Sequence, residues 1–317
     1  LRSEKRSEAI DHVVYVATGA LSYDSIFGDL TDASGTAHGN GDASLTVYPE
    51  SATPNLHALA KSYALADNFY ASDANPDVAK EFAASGEATL YQQLVADAGT
   101  ARAPLDDHGD NPEDYARAGY LFNALARAGI PFRDYGGLLR LSGYDGVHYT
   151  LDVPALAALN GNVDLSYSNP TLTDEQRAAE FVHDMQRYVQ SDSMPSFTYV
   201  SLRGQNGHAN PSTADNAIGK IVDFISHTPH WNSTAIFIVP DGAGSKDHVN
   251  ALRTFAIVVS PLARRGYVGE AHLSMAGVLK TEEEIFGLQP LTLNDLLASD
   301  LAPFFTDAPA AEPYQAR

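Results

Sequence analysis

The sequence predicts an α/β protein with a mostly parallel central sheet and helices on both faces. Three observations carry that prediction. Short apolar and β-branched runs alternate with amphipathic helical segments, the pattern of a sheet covered on both sides. Runs such as Thr234-Ala-Ile-Phe-Ile-Val239 end in sharp glycine-bearing turns. The chain has 317 residues, 44% of them hydrophobic, enough for one large domain or two modest ones.

Taken in order, His12 to Ala17 is the first strand and Ser22 to Leu30 a short helix. Thr53-Pro-Asn55 opens a helix through Ala64, with Thr before a proline at the first helical position. Leu65 to Tyr70 is the second strand. Asn75-Pro-Asp77 repeats the cap-then-proline signal and starts a helix expected to run to about Val95. Tyr115 to Gly129 is predicted helical, ending on glycine, and Pro131 to Tyr135 a strand. Residues 136–173 show no clear period and are expected to form an irregular insertion. Beyond it come a helix over Asp174 to Gln190, a strand over Ser196 to Leu202, and a helix over Ser212 to His227. Strands over Thr234 to Val239 and Phe255 to Ser260, then a helix over Ser274 to Phe286, complete the set. The expected organisation is an arm (1–10), a single domain (11–301) and a tail (302–317) that wraps the surface or is loosely held.

Composition narrows the function. Forty acidic against 20 basic side chains give a formal charge of −20, which argues against nucleic acid as a partner. Cysteine is absent, so thiol nucleophiles, thiolate metal sites and disulfides are excluded together. No stretch approaches the roughly 18 apolar residues of a membrane span. A chain that begins at Leu1 rather than Met is expected to be the mature form of an exported protein, periplasmic or extracellular.

In open parallel sheets, chemistry sits at the carboxyl ends of the strands. Several segments there and nearby carry a resemblance: His12-Val-Val-Tyr-Val, Tyr23-Asp-Ser-Ile-Phe-Gly-Asp-Leu30, Thr53-Pro-Asn-Leu-His-Ala-Leu-Ala60, Asp67-Asn-Phe-Tyr70, Trp231-Asn-Ser-Thr-Ala-Ile-Phe237 and Ser260-Pro-Leu-Ala-Arg-Arg-Gly266. With Ala118-Gly-Tyr and Arg127-Ala-Gly, these resemble the bacterial phosphoesterase family of phospholipase C and acid phosphatase type, within the alkaline phosphatase superfamily. The resemblance runs in order from about residue 10 to residue 300 and implies an alkaline-phosphatase-like three-layer sandwich.

The resemblance also implies where a two-metal centre and its nucleophile should lie, and most of those positions are replaced. The family's Glu-Asn metal ligands after the first strand fall on Gly19 and Ala20, and the arginine after them on Leu21. The nucleophilic Ser or Thr falls at about Pro76, which has no hydroxyl. An Asp-His pair falls on Gln205 and Asn206, whose amides are feeble ligands for divalent ions. Of the family's Glu-Asp-Asp loop the chain keeps Pro240-Asp-Gly242, so Gly242 marks a lost carboxylate, and Asp247-His-Val-Asn250 stands for Asp-His-Val-Asp.

Asp241 and His248 thus remain as residual metal candidates, with His208 a weaker one and a weak divalent ion their expected ligand; no other cofactor is expected. The plain alternatives are an Asp that turns a loop, a His hydrogen-bonded nearby and an exposed loop histidine. Ser72 is expected to be a turn residue, and Asp106-Asp-His108 an acidic solvated loop. The leading expectation is a degenerate phosphoesterase fold without catalysis, kept for binding or for building a structure, with itself as partner in a homo-oligomer or larger assembly. The alternatives are a metal-dependent phosphoesterase rebuilt around Asp241, His248 and His208, and a binder of carbohydrate or lipid headgroups in the vacated cleft.

Overall fold

The structure is a computed structural model that describes residues 5–97, 112–136, 154–164, 169, 171–205, 208, 210–244 and 246–317. Its first half contains β1 (His12–Thr18), α1 (Tyr23–Phe27), α2 (Pro54–Ser62), β2 (Ala64–Tyr70), α3 (Pro76–Ser85), α4 (Leu90–Asp97), α5 (Leu121–Arg127) and β3 (Phe132–Tyr135). The second contains α6 (Asp174–Gln190), β4 (Phe197–Leu202), α7 (Pro211–Ser226), β5 (Thr234–Pro240), β6 (Arg253–Val259), β7 (Tyr267–Gly269), β8 (Leu273–Ser274), α8 (Met275–Phe286) and α9 (Leu293–Leu297).

Among the described residues the sheet has eight strands in the order β3-β4-β1-β5-β6-β2-β7, with β8 also pairing β2. It is mostly parallel, as expected. The exception is β6, which runs antiparallel to both β5 and β2. β1 is flanked by β4 and β5, and its residues from Val13 onward are buried. That burial explains why these strands read as continuous apolar runs: both sheet faces are covered. On one face α2, α6 and α7 pack together; on the other, α3 packs against α4, α5 and α8, and α8 against α9. Ile218, Ile221, Val222 and Ile225 supply α7's buried stripe.

Three helices differ from expectation at a glycine, the first being α1, which stops at Phe27 with Gly28 as its cap, short of Leu30. The helix from Pro76 ends at Ser85 because Gly86 takes φ +75°, the left-handed cap, with its N–H on Phe82 O at 3.1 Å. α4 then starts afresh with Thr89 and Gln92 capping each other reciprocally. Helix also does not extend back from Leu121 to Tyr115, because Gly119 sits at φ +81° and Asn123 Oδ1 accepts from Tyr120 N to open α5 there. Of the expected insertion, residues 154–164 carry a single 3-10 turn at Ala157–Leu159 and a bridge from Val163 to Asp134. Segment 302–317 wraps its own domain: Phe304 is buried, Phe305 bridges Ala263, and Tyr314 is buried.

Candidate functional site

The parallel register brings β1, β4 and β5 to a common edge, with Thr18 opposite both Leu202 and Pro240. The residues that follow therefore emerge side by side. Asp241 N donates to Thr18 O at 2.9 Å and Leu21 N to Gly242 O at 3.0 Å, which laces the two loops together. Asn75 caps α3 by accepting from Asp77 N at 2.9 Å, so Pro76 stands at the first helical position facing the same edge. A Cβ placed on Gly242 would lie 3.5 Å from Ala20 Cβ and 3.5 Å from Pro76 Cα. Three positions that the resemblance assigns to ligands and nucleophile thus converge on one point. The convergence is kept, and the donor atoms are not.

A cation supplied by the chain itself sits at this edge. Lys80 Nζ lies 3.1 Å from Asp241 Oδ2. Lys80 follows Pro76 by one helical turn, which points it along the face of α3 that meets the loops. Asp241 is 5% exposed, and burial pushes its carboxyl up to about 6 against the opposing pull of Lys80. Without that ammonium the buried carboxylate would have to take up a proton more readily still.

His248 belongs to a different cluster. Its Nδ1 and its backbone N both lie 2.7 Å from Asp24 Oδ2, and Asp24 N donates to Asp247 Oδ2 at 3.2 Å. Asp24, Asp247 and His248 present donor atoms within 4.8 Å of one another, the geometry of a cation site. Arg253 already answers the charge. Its buried guanidinium stands 3.4 Å from both oxygens of Asp247 and 3.9 Å from Asp24 Oδ1, and is stacked 4.1 Å over the Tyr23 ring. Arg253 Nε and Nη2 are fixed by the carbonyls of Asp67 and Asn40 at 2.7 Å each.

The remaining candidates are dispersed. Gln205 turns its amide away to donate to Thr171 O at 2.9 Å. His208 is exposed, with its backbone N on Gln205 O. The loop they share is anchored from beneath by buried Arg177, which donates to Gly204 O at 2.8 Å and pairs with Asp174. Asn206 and the Asp106-Asp-His108 cluster lie outside the described residues. The two-ion centre implied by the resemblance does not fit this residue set: Gly19, Ala20, Pro76 and Gly242 offer no side-chain donor, Asp241 holds an ammonium, and Asp247 holds a guanidinium. Lys80 and Arg253 lie outside the quoted motifs, and Asp24 lies inside one without having been singled out. The usable signals were helical spacing from Pro76 for Lys80, and for Asp24 its place inside Tyr23-Asp-Ser, whose Ser22 caps α1.

Comparison with solved structures agrees with this architecture. A phosphonate monoester hydrolase of Agrobacterium radiobacter superposes with a TM-score of 0.57 at 17% identity, covering 97% of this chain and 79% of that one. A Vibrio parahaemolyticus protein of the alkaline phosphatase superfamily gives 0.60 at 14% identity, over 93% and 71% of the two chains. A sulfatase from Pseudoalteromonas sp. gives 0.57 at 12%, over 97% and 73%. A search of curated sequences finds no match. The model of the phosphoesterase family matches residues 21–289. That span takes in the edge where Ala20, Pro76 and Gly242 meet all but at its first residue, and it means that the chain belongs to the phosphoesterase family.

Proposed function

We propose that this chain is a catalytically inactive member of its family that works as a binding or structural protein. The observation that carries this reading is the Lys80–Asp241 ion pair, 3.1 Å long, at an edge whose neighbouring positions are Ala20, Pro76 and Gly242. Hydrolysis of a phosphate ester in the two-metal manner needs an activated nucleophile and charge to meet the developing oxyanion. A proline offers no nucleophile, and an ammonium seated on the surviving carboxylate opposes a second cation there by direct repulsion. Conserving the scaffold while replacing its reactive groups is what a fold retained for its surface looks like.

The test is elemental analysis of purified protein together with turnover of a phosphate monoester and a diester. The expected outcome is no stoichiometric zinc, manganese, calcium or iron, and no turnover above buffer. The competing reading, a rebuilt metal-dependent phosphoesterase, draws on the Asp24–Asp247–His248 cluster. It predicts one equivalent of bound metal and turnover that His248→Ala abolishes; that pair of results would overturn the inactive reading.

A further inference from the structure

The register of β3, β4 and β1 builds a pocket on the sheet face that α3, α5 and α8 cover. Phe132 stands opposite Phe197, and two residues further on Asp134, Tyr199 and Tyr15 form a row on the same face. The rings of Tyr15 and Tyr199 stack with centroids 5.0 Å apart. Ala83 and Ala84 of α3 meet these rings with one side-chain carbon each, and with Phe122 of α5 they leave a cavity of about 30 Å³. A water takes up about 30 Å³ in the liquid, so the space fits one body of that size.

Two buried polar side chains line this otherwise apolar cavity without a partner. Glu282 of α8 is 1% exposed, and its Oε1 meets no hydrogen-bond donor among the described residues. Tyr199, 9% exposed, has no partner at Oη among them either. The adjacent Glu283 differs, since its Oε1 accepts from Leu291 N at 3.1 Å. Nearby cations are spent elsewhere. Arg133 belongs to the pocket wall, but strand alternation sends its side chain to the opposite face, where Nη2 lies 3.0 Å from Asp184 of α6. Lys80 is seated on Asp241. The charges felt in the pocket are acidic: Asp241 and Asp134 at Tyr199, and Glu283 at Glu282. Burial, with Glu283 beside it, holds the Glu282 carboxyl well above the usual range, so it keeps its proton until a positive charge arrives.

The walls select the kind of charge. A hard divalent ion takes six or more oxygen ligands, which a pocket of rings does not supply. An ammonium is attracted by aromatic rings, and five line this cavity: Tyr15, Phe122, Phe132, Phe197 and Tyr199. We propose that the Tyr15–Tyr199–Glu282 pocket binds a small ammonium ion, ammonium itself or methylammonium, with Glu282 as counter-ion and the rings as walls. Binding releases the Glu282 proton to solvent and leaves a carboxylate–ammonium pair of no net charge. Asp241, Lys80 and the positions around them are not ligands of this pocket, so its occupancy and the inactivity of the family edge can fail separately.

The test is titration of the full chain with carbon-13-labelled methylammonium chloride, followed by NMR and calorimetry. Saturable binding is expected, with the methyl resonance moved upfield by the surrounding rings. Each bound cation displaces one proton, so affinity should rise about tenfold from pH 6.5 to pH 7.5, where the amine, like a lysine at about 10.4, stays charged. Methanol, similar in size but neutral, should not compete. Glu282→Gln keeps the shape and removes the charge, and should weaken methylammonium binding by about tenfold or more; Tyr199→Phe should weaken it about fivefold, the loss of one hydrogen bond. If Glu282→Gln does not fold by circular dichroism, Tyr199→Phe and the pH series carry the test. No saturable binding at pH 7.5, binding that no folded variant weakens, or equal binding of methanol overturns the site. An affinity independent of pH overturns Glu282 as its counter-ion.

Discussion

Asp241 keeps its carboxyl in the interior with Lys80 as its counter-charge, and a pH dependence follows from that placement. Burial holds the folded-state value at about 6, while an unfolded Asp titrates near about 3.9. The native state therefore binds this proton more tightly, and stability falls as pH rises from about 4 through about 6, by about 3 kcal/mol. Asp241→Asn cannot titrate. Thermal unfolding of this variant between pH 5 and pH 7 should show a flatter profile than wild type; parallel profiles would mean the carboxyl is not the group responsible. Which site residues were legible divides along the same physical line. Replacement of Gly19, Ala20, Pro76 and Gly242 is visible in the sequence because each lacks a donor atom wherever it lies. The partners of Asp241 and His248 were not, because Lys80 and Asp24 reach them from other elements, and only tertiary packing says which charge faces which.

At the scale of elements, glycine decides where helices stop and which neighbours can approach. Gly86 closes α3 at φ +75°, and a Cβ there would fall 2.7 Å from Thr292 Oγ1 and 2.9 Å from Asp295 Oδ1, the pair that caps α9. Gly86→Ala combines a left-handed backbone at an L-residue, about 1–2 kcal/mol, with displacement of that cap, about 1 kcal/mol more. Chemical denaturation should show a loss of about 2–3 kcal/mol; a loss below about 0.5 kcal/mol would mean that α9 yields freely. The break was present in the sequence as Ser85-Gly-Glu-Ala-Thr89 followed by Gln92, a stop and a fresh capping box, but the apolar periodicity carries across it and masks it. The strands were clearer. β1, β4, β5 and β6 are buried throughout or nearly so, and an unbroken apolar run has no competing period to confuse it. The direction of β6 was harder to see: among the described residues the link from Asp241 to Leu252 carries no helix, which suits an antiparallel return, yet composition alone does not distinguish strand directions.

The whole molecule carries a formal charge of −20 on a domain whose core is otherwise well closed, and that excess acts on stability and on association alike. Several acidic groups are answered individually: Asp241 by Lys80, Asp247 by Arg253, Asp174 by Arg177. The surplus has no such partner by arithmetic, since 40 acidic residues face 20 basic ones. Compact packing crowds this surplus, and the unfolded chain relieves it, so self-repulsion favours unfolding at neutral pH. Screening weakens the repulsion: the Debye length falls from about 30 Å at 0.01 M salt to about 10 Å at 0.1 M, below the separation of most surface charges across a domain. Short buried pairs such as Arg177–Asp174 are screened far less, so added salt removes the unfavourable long-range part and leaves the favourable short-range part. The melting temperature should therefore rise between 0.01 M and 0.1 M sodium chloride at pH 7.5, and should not rise with an uncharged solute at equal osmolality. A fall with salt would mean that exposed ion pairs, rather than the net charge, dominate the surface energy of this protein.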